Sequence, residues 1–460
     1  MMRRLSALLA AVVVAVTAAA CAQEADGELT VLGGSGPDGP PTPDSSGDPG
    51  AVAEQAIVDV EAWWEDVFPE VYGGAFEPVA GYYPYGPDTP SPPCGGPPPP
   101  YEVIADNAFY CPETDIIAWD EHQLLPYLDQ EFGSYTVAIV IAHEYGHAIQ
   151  ARADAIDRTV DLELQADCFA GAFTDHVVEG GASGFDEGDV NLDLTVAGLI
   201  SIRDLPGTDP DEPYAHGSGF DRVGAFQDGF ENGPEKCAEY ADPSRDRITA
   251  ELAFTARDYA TGGDLHLYDG AEPGLLSLVF ADLNDFYGAL FNELGEEFEP
   301  VDDLVLADPA TDGVECGGET LSGSELERAA LYCVDENIVL LDRGFVEDDL
   351  YSLGDFAVAS EIARLWAIAA QVQLGVADDD GALLQADCLT GRWAAWTYPR
   401  DEARTPESDQ LVMSGGDLDE GIMAFLAFGF GDEEVFDRIE ALRTGFFDGY
   451  EACEEYAPLS

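Results

Sequence analysis

The sequence predicts a mainly α-helical chain of α+β type, with a small β element, duplicated in tandem. Two observations predict this. Long stretches carry apolar residues at helical spacing or free of helix breakers, and only one short apolar run reads as a strand. Landmarks also return at a fixed offset. Phe76-Glu77-Pro78-Val79 recurs as Phe298-Glu299-Pro300-Val301, Cys94-Gly95-Gly96 as Cys316-Gly317-Gly318, Tyr110-Cys111 as Tyr332-Cys333 and Asp120 as Asp342, each 222 positions on. With small slips the match continues through Gln150 and Gln371, Gln165 to Cys168 and Gln385 to Cys388, Phe220-Asp221-Arg222 and Phe436-Asp437-Arg438, and Cys237 and Cys453. A repeat of this length reads as one domain present twice, over 51–240 and 273–460, with a linker at 241–272.

In chain order, Arg3 and Arg4 precede a small, apolar stretch to residue 20 that is too short to cross a membrane comfortably. Ala18-Ala19-Ala20-Cys21 resembles a bacterial lipobox, with alanine where leucine is more usual. The expectation is a signal peptide over 1–20, lipidation of Cys21 and anchorage at the outer face of the cell membrane, with plain secretion as the alternative. Residues 21–50 are rich in Gly, Pro, Ser and Asp and read as a disordered tether. Ile57, Val60, Trp64 and Val67 mark a helix in 51–75. Residues 76–100 read as a Pro/Tyr/Gly loop, including Tyr82-Tyr83-Pro84-Tyr85 as a turn. Ile116-Ile117-Ala118-Trp119 is a candidate strand closed by Asp120. Helices are expected over 134–154, 160–178, 189–204 and 219–232.

The chemistry centres on His143-Glu144-Tyr145-Gly146-His147. On a helix, histidines four apart share a face, about 5–6 Å apart at Cβ, which suits two ligands of one zinc ion. Glu144 is placed to act as base toward a metal-activated water. A third ligand is required, and Glu163 supplies it from the start of a second, antiparallel helix. Asp167 lies one turn further on that helix and can accept the second ring N–H of a ligand histidine. One Zn2+ per chain is expected. His216, in a Gly-Ser loop, is the candidate donor to a developing oxyanion. Tyr145 points off the ligand face, and His122, His176 and His266 show no partner pattern.

Composition speaks to environment rather than activity. The chain has 92 acidic residues against 18 basic ones, a formal charge of −74. Such a surface repels nucleic-acid phosphates, so no nucleic-acid partner is expected. An acidic, lysine-poor surface reads as adaptation to high salt, or as the habit of an acidic proteome at ordinary salt. Setting Cys21 aside leaves eight cysteines, an even number that implies disulfides in an exported chain. Bridges within each copy are the simplest: Cys94–Cys111, Cys168–Cys237, Cys316–Cys333 and Cys388–Cys453. Other pairings stay open on sequence grounds.

The second copy has lost the metal residues. Arg364 stands for His143, Leu365 for Glu144, Ile368 for His147 and Leu383 for Glu163, so no zinc is expected there. Asp387 survives as the counterpart of Asp167, and a pair with Arg364 is expected to fill the vacated site.

With these residues laid out, 51–240 resembles the bacterial family of putative neutral zinc metallopeptidases. The motifs are Cys94-Gly95, Phe109 to Pro112, His143 to Gln150, Glu163 to Gly171, and His216-Gly217-Ser218 leading to Cys237. That family tends to have Gly-Asp-Asp where this chain has Ile202-Arg203-Asp204. The layout is also similar to thermolysin-like gluzincins. The resemblance implies a zincin-like helical domain, zinc ligands at His143, His147 and Glu163, catalysis by Glu144, and a peptide or protein substrate. A non-catalytic envelope lipoprotein that binds a wall component or protein partner is the competing function.

Overall fold

The first helix, α1 (Pro49–Val71), begins where its capping chemistry says it should. Asp48 accepts a hydrogen bond from the Ala51 N–H, and proline occupies the first helical position. The helix thus starts two residues inside the stretch expected as tether. The computed structural model describes residues 47–153, 159–209, 212, 215–241, 249–250, 252–376, 380–398, 411–429 and 435–457. The expected signal segment, Cys21 and residues 22–46 lie outside them. Among the described residues no helix is long and apolar enough to cross a membrane.

A three-stranded sheet follows: β1 (Gly81–Tyr85), β2 (Ala108–Cys111) and β3 (Ile116–Asp120), in the order β1-β3-β2. The central β3 is buried at every position, pairs parallel with β1 and antiparallel with β2. β1 corrects the expectation of a loop and turn at 81–85. Pro84 removes one amide, which an edge strand tolerates. Asp120 closes β3 by accepting from the N–H groups of His122 and Asp106 and from the Tyr101 hydroxyl.

Helices α2 (Leu124–Phe132), α3 (Ser134–Arg152), α4 (Thr159–Val178), α5 (Leu192–Ser201) and α6 (Gly219–Ala238) complete the first half. α3 is the central one: almost all of it is buried, between α1, α2, α4 and β2. α4 and α6 pack so closely that a Cβ on Gly229 would fall 1.8 Å from Cys168 O, and one on Gly171 1.9 Å from Phe226 O. The Cys168–Cys237 disulfide ties the same two helices, and Cys94–Cys111 ties the 94 loop to β2. α6 runs past the expected residue 232, with a break at Gly233.

The second half contains α7 (Leu275–Leu294), β4 (Asp303–Ala307), β5 (Ala330–Cys333), β6 (Ile338–Asp342), α8 (Asp355–Leu374), α9 (Asp380–Thr397), α10 (Asp417–Phe428) and α11 (Val435–Asp448). Its sheet has the order β4-β6-β5, again one parallel and one antiparallel pair. A hairpin, Gly313–Cys316 with Glu319–Ser322, is added between β4 and β5. Cys316–Cys333 and Cys388–Cys453 are bonded. One apolar core runs without interruption through both halves.

The expected Asp387–Arg364 pair is not formed. Asp387 is held by Arg438, at 2.8 and 3.0 Å, while Arg364 pairs with Glu361 at 2.8 Å on its own helix. The reason lies one helix away: α11 presents an arginine directly at the buried carboxylate, and Glu361 lies one turn before Arg364.

Candidate metal centre

On α3, His143 and His147 stand one turn apart and face the same way, with their Nε2 atoms 3.2 Å apart. Glu163 comes from the facing helix α4. Its Oε2 lies 3.2 Å from His143 Nε2 and 3.5 Å from His147 Nε2. Gly146, between the histidines, permits the approach: a Cβ there would sit 2.9 Å from Ala166 Cα.

The outer nitrogens fix the protonation of both rings. His143 Nδ1 is 2.8 Å from Asp167 Oδ1, and His147 Nδ1 is 2.9 Å from Gln150 Oε1. The Gln150 amide is oriented by donating to Leu162 O at 2.5 Å. Both outer partners are acceptors, so each ring carries its proton on Nδ1 and turns a bare Nε2 lone pair inward. Glu163 Oε2 is buried and accepts no hydrogen bond. Two lone pairs and a carboxylate oxygen therefore converge on one point, an arrangement that repels itself unless positive charge stands there. Metal–nitrogen bonds of about 2.0–2.1 Å in a tetrahedron require ligand atoms about 3.3–3.4 Å apart. The observed triangle, 3.2, 3.2 and 3.5 Å, fits. These three residues could hold a zinc ion.

The acid–base shifts express the same demand for positive charge. Burial would lower His143, but the Asp167 charge and its hydrogen bond push it up to about 10. Burial would raise Glu163, yet the His147 charge and the close approach of both imidazoles hold it well below the usual carboxylate range. Asp167 is lowered too, because Arg222 and His143 outweigh burial. Glu144 is raised, chiefly by burial, although both histidines and a hydrogen bond from the Tyr110 backbone N–H oppose the shift.

Two arms support this centre. Arg222 on α6 grips Asp167 through Nε (2.8 Å) and Nη2 (2.9 Å), so Asp167 is shared between His143 and an arginine. Asp204 grips the His216 loop: Oδ2 accepts from the N–H groups of His216 (2.6 Å) and Gly217 (2.9 Å), and Oδ1 lies 3.1 Å from His216 Nδ1. The loop lies against α4: a Cβ at Gly217 would sit 3.4 Å from Leu164 Cδ2, on the residue after Glu163. Tyr145 is buried away from the centre and donates to Glu61 at 2.9 Å. His122 and His176 lie against aromatic rings elsewhere, and His266 is exposed.

Arg222, Asp204 and Gln150 had no assigned role in the sequence reading. A signal for Arg222 was present: Asp167 and Arg222 both return in the second half, as Asp387 and Arg438, and both pairs are closed. For Asp204 the signal was the resembled family's Gly-Asp-Asp, of which this chain keeps only the last residue. Among the described residues another carboxylate cluster, Asp264, Asp355 and Glu420, also brings oxygens together, without a histidine.

Residues 48–240 match the model of the family described as "Putative neutral zinc metallopeptidase". The chain is 27% identical over 161 residues to the uncharacterized protein YpfJ of Escherichia coli K12, covering 28% of this chain and 52% of that protein. It is 28% identical over 161 residues to the uncharacterized protein Rv2575 of Mycobacterium tuberculosis H37Rv, covering 29% of this chain and 55% of that protein. The chain thus spans about half the length of the curated relatives it matches. No solved structure matches.

Proposed function

We propose that residues 48–240, the part matched by the zinc metallopeptidase family, form a peptidase that hydrolyses peptide bonds at the His143–His147–Glu163 centre. The single observation that carries this reading is the triangle of inward-facing ligand atoms with a buried carboxyl, Glu144, on the residue next to the first histidine. A zinc ion held there would polarise the scissile carbonyl and acidify the attacking water. Glu144 takes the proton of that water and passes it to the leaving amine. Its raised affinity for a proton suits both transfers. His216, oriented by Asp204 Oδ1 at 3.1 Å from its Nδ1, supplies a donor to the oxyanion when its ring carries both protons. A structural zinc site would need no base and would favour four protein ligands.

The same reading makes the chain an exported lipoprotein, anchored through Cys21 on the extracytoplasmic side, with peptide or protein as substrate. Four disulfides suit that compartment.

The test is zinc per chain and peptide hydrolysis on protein beginning after Cys21. One zinc is expected in the wild type and in Glu144→Gln, and none in Glu163→Ala. Hydrolysis is expected in the wild type alone, falling by at least a hundredfold in Glu144→Gln. Zinc binding without any hydrolysis would move the assignment to a binding protein. Two zinc ions per chain would overturn the reading of the second half.

A further inference from the structure

The second half holds none of the metal residues, yet one of its carboxylates reaches into the first half beside His216. Asp419, on α10 and 2% exposed, accepts from the backbone N–H groups of Gly219 (3.0 Å) and Phe220 (2.8 Å). These are the first two residues of α6. Arg203 adds a third contact, with Nε 2.8 Å from Asp419 Oδ2, a contact of charge rather than of hydrogen-bond geometry. Its Nη2 lies 3.6 Å from Met423 Sδ, also on α10.

Each of these contacts adjoins a bond that supports the metal centre. Asp204, which grips His216, directly follows Arg203. Only Gly217, in a left-handed conformation at φ +100°, and Ser218 separate His216 from the two amides that Asp419 holds. Arg222, which fixes Asp167 and through it His143, lies two residues beyond Phe220. A helix start exposes N–H groups without intrahelical partners at the positive end of the helix dipole. Ser218 caps the N–H of Asp221, and Asp419 satisfies the two before it. Without Asp419, two buried donors lose their acceptor and Arg203 loses its counter-charge, and the start of α6 must shift to find another acceptor.

The surrounding contacts are reciprocal. Gln227 Nε2 donates to Phe436 O at 2.8 Å, and Arg443 Nη1 donates to Phe220 O at 2.6 Å. Gln227 and Arg443 are 216 positions apart, as are Phe220 and Phe436, and as are Arg203 and Asp419. Equivalent positions meeting in exchanged roles is how a two-fold pair of domains packs. We infer that the second half is a built-in partner of the metal centre, and that Asp419 is a positioning residue that sets His216 and Arg222. This rests on the peptidase reading of that centre.

The experiment uses the whole chain after Cys21. Asp419→Asn and Asp419→Ala are compared with Asp419→Glu, which keeps the charge. Gln227→Ala serves as a control that removes a contact between the halves away from 216–222. Three readouts are taken: amide hydrogen exchange over 215–223, zinc competition with a chelator, and kcat separately from KM. The Asn and Ala variants should exchange faster over 217–222, bind zinc about tenfold more weakly and lose kcat more than KM. Asp419→Glu should recover part of the kcat. Gln227→Ala should melt earlier while keeping wild-type zinc affinity and kcat. Unchanged exchange and zinc affinity in folded Asp419→Asn would overturn the proposal, as would Gln227→Ala reproducing its losses. A wild type that hydrolyses no peptide would sink the peptidase reading alone; exchange and zinc competition would still decide the role of Asp419.

Discussion

Asp167 and Asp387 make a natural comparison at the scale of single residues. Each is fully buried and held by an arginine in the same two-point grip. Only Asp167 also holds a histidine of the candidate metal centre. Asp167→Ala strands Arg222 and frees the His143 ring. It should cost about 3–5 kcal/mol, and zinc affinity should fall 10–100-fold. Asp387→Ala strands Arg438 at a similar cost but should leave zinc binding unchanged. Urea unfolding and chelator competition on the two variants check both halves of this expectation. Comparable zinc loss in Asp387→Ala would show that the second carboxylate serves the centre from a distance.

At the scale of elements, the site depends on how close α4 and α6 come. Adding a Cβ at Gly229 would place it 1.8 Å from Cys168 O, and at Gly445 1.7 Å from Cys388 O. Gly229→Ala and Gly445→Ala should each destabilise by about 1–3 kcal/mol, since the helices must separate. Only Gly229→Ala should also weaken zinc, because α6 carries Arg222. Thermal melts with zinc competition distinguish the two. The elements differed in how legible they were. α3 was plain in the sequence because a long buried helix leaves an unbroken apolar run, Val137 to Ala142, and α4 followed from the spacing of Glu163 and Asp167 behind it. β1 was not, because a proline and three tyrosines over five residues look like a turn until β3 is known to lie alongside.

At the scale of the molecule, a continuous core joins two halves that both bury charge. Burial, and then the charge of Asp264, pushes Asp355 up to about 7. Burial first, and then their charged neighbours, raise Asp417 and Glu420 well above the usual carboxylate range. The folded chain therefore keeps protons that the unfolded chain releases above about pH 4. Stability from this cluster is present at low pH and lost as pH rises through 7. The melting temperature should fall between pH 5 and pH 8, and Glu420→Gln should flatten that slope. A slope unchanged in Glu420→Gln would assign it to the general repulsion of a chain with formal charge −74.

The sequence by itself determined the candidate ligand set. Helical periodicity is a local rule, so His143 and His147 had to share a face, and a turn later Glu163 could meet them. It also determined which half lacks those ligands, since Arg364, Leu365, Ile368 and Leu383 are read without any fold. Only the tertiary structure decided what stands behind each ligand. Arg222 reaches Asp167, Arg438 rather than Arg364 reaches Asp387, and Asp419 reaches the start of α6, across 55, 51 and 200 positions of chain. Spacing carries no information at those separations. Partners of buried charge are chosen by which helices pack together, and that choice is made by the core as a whole.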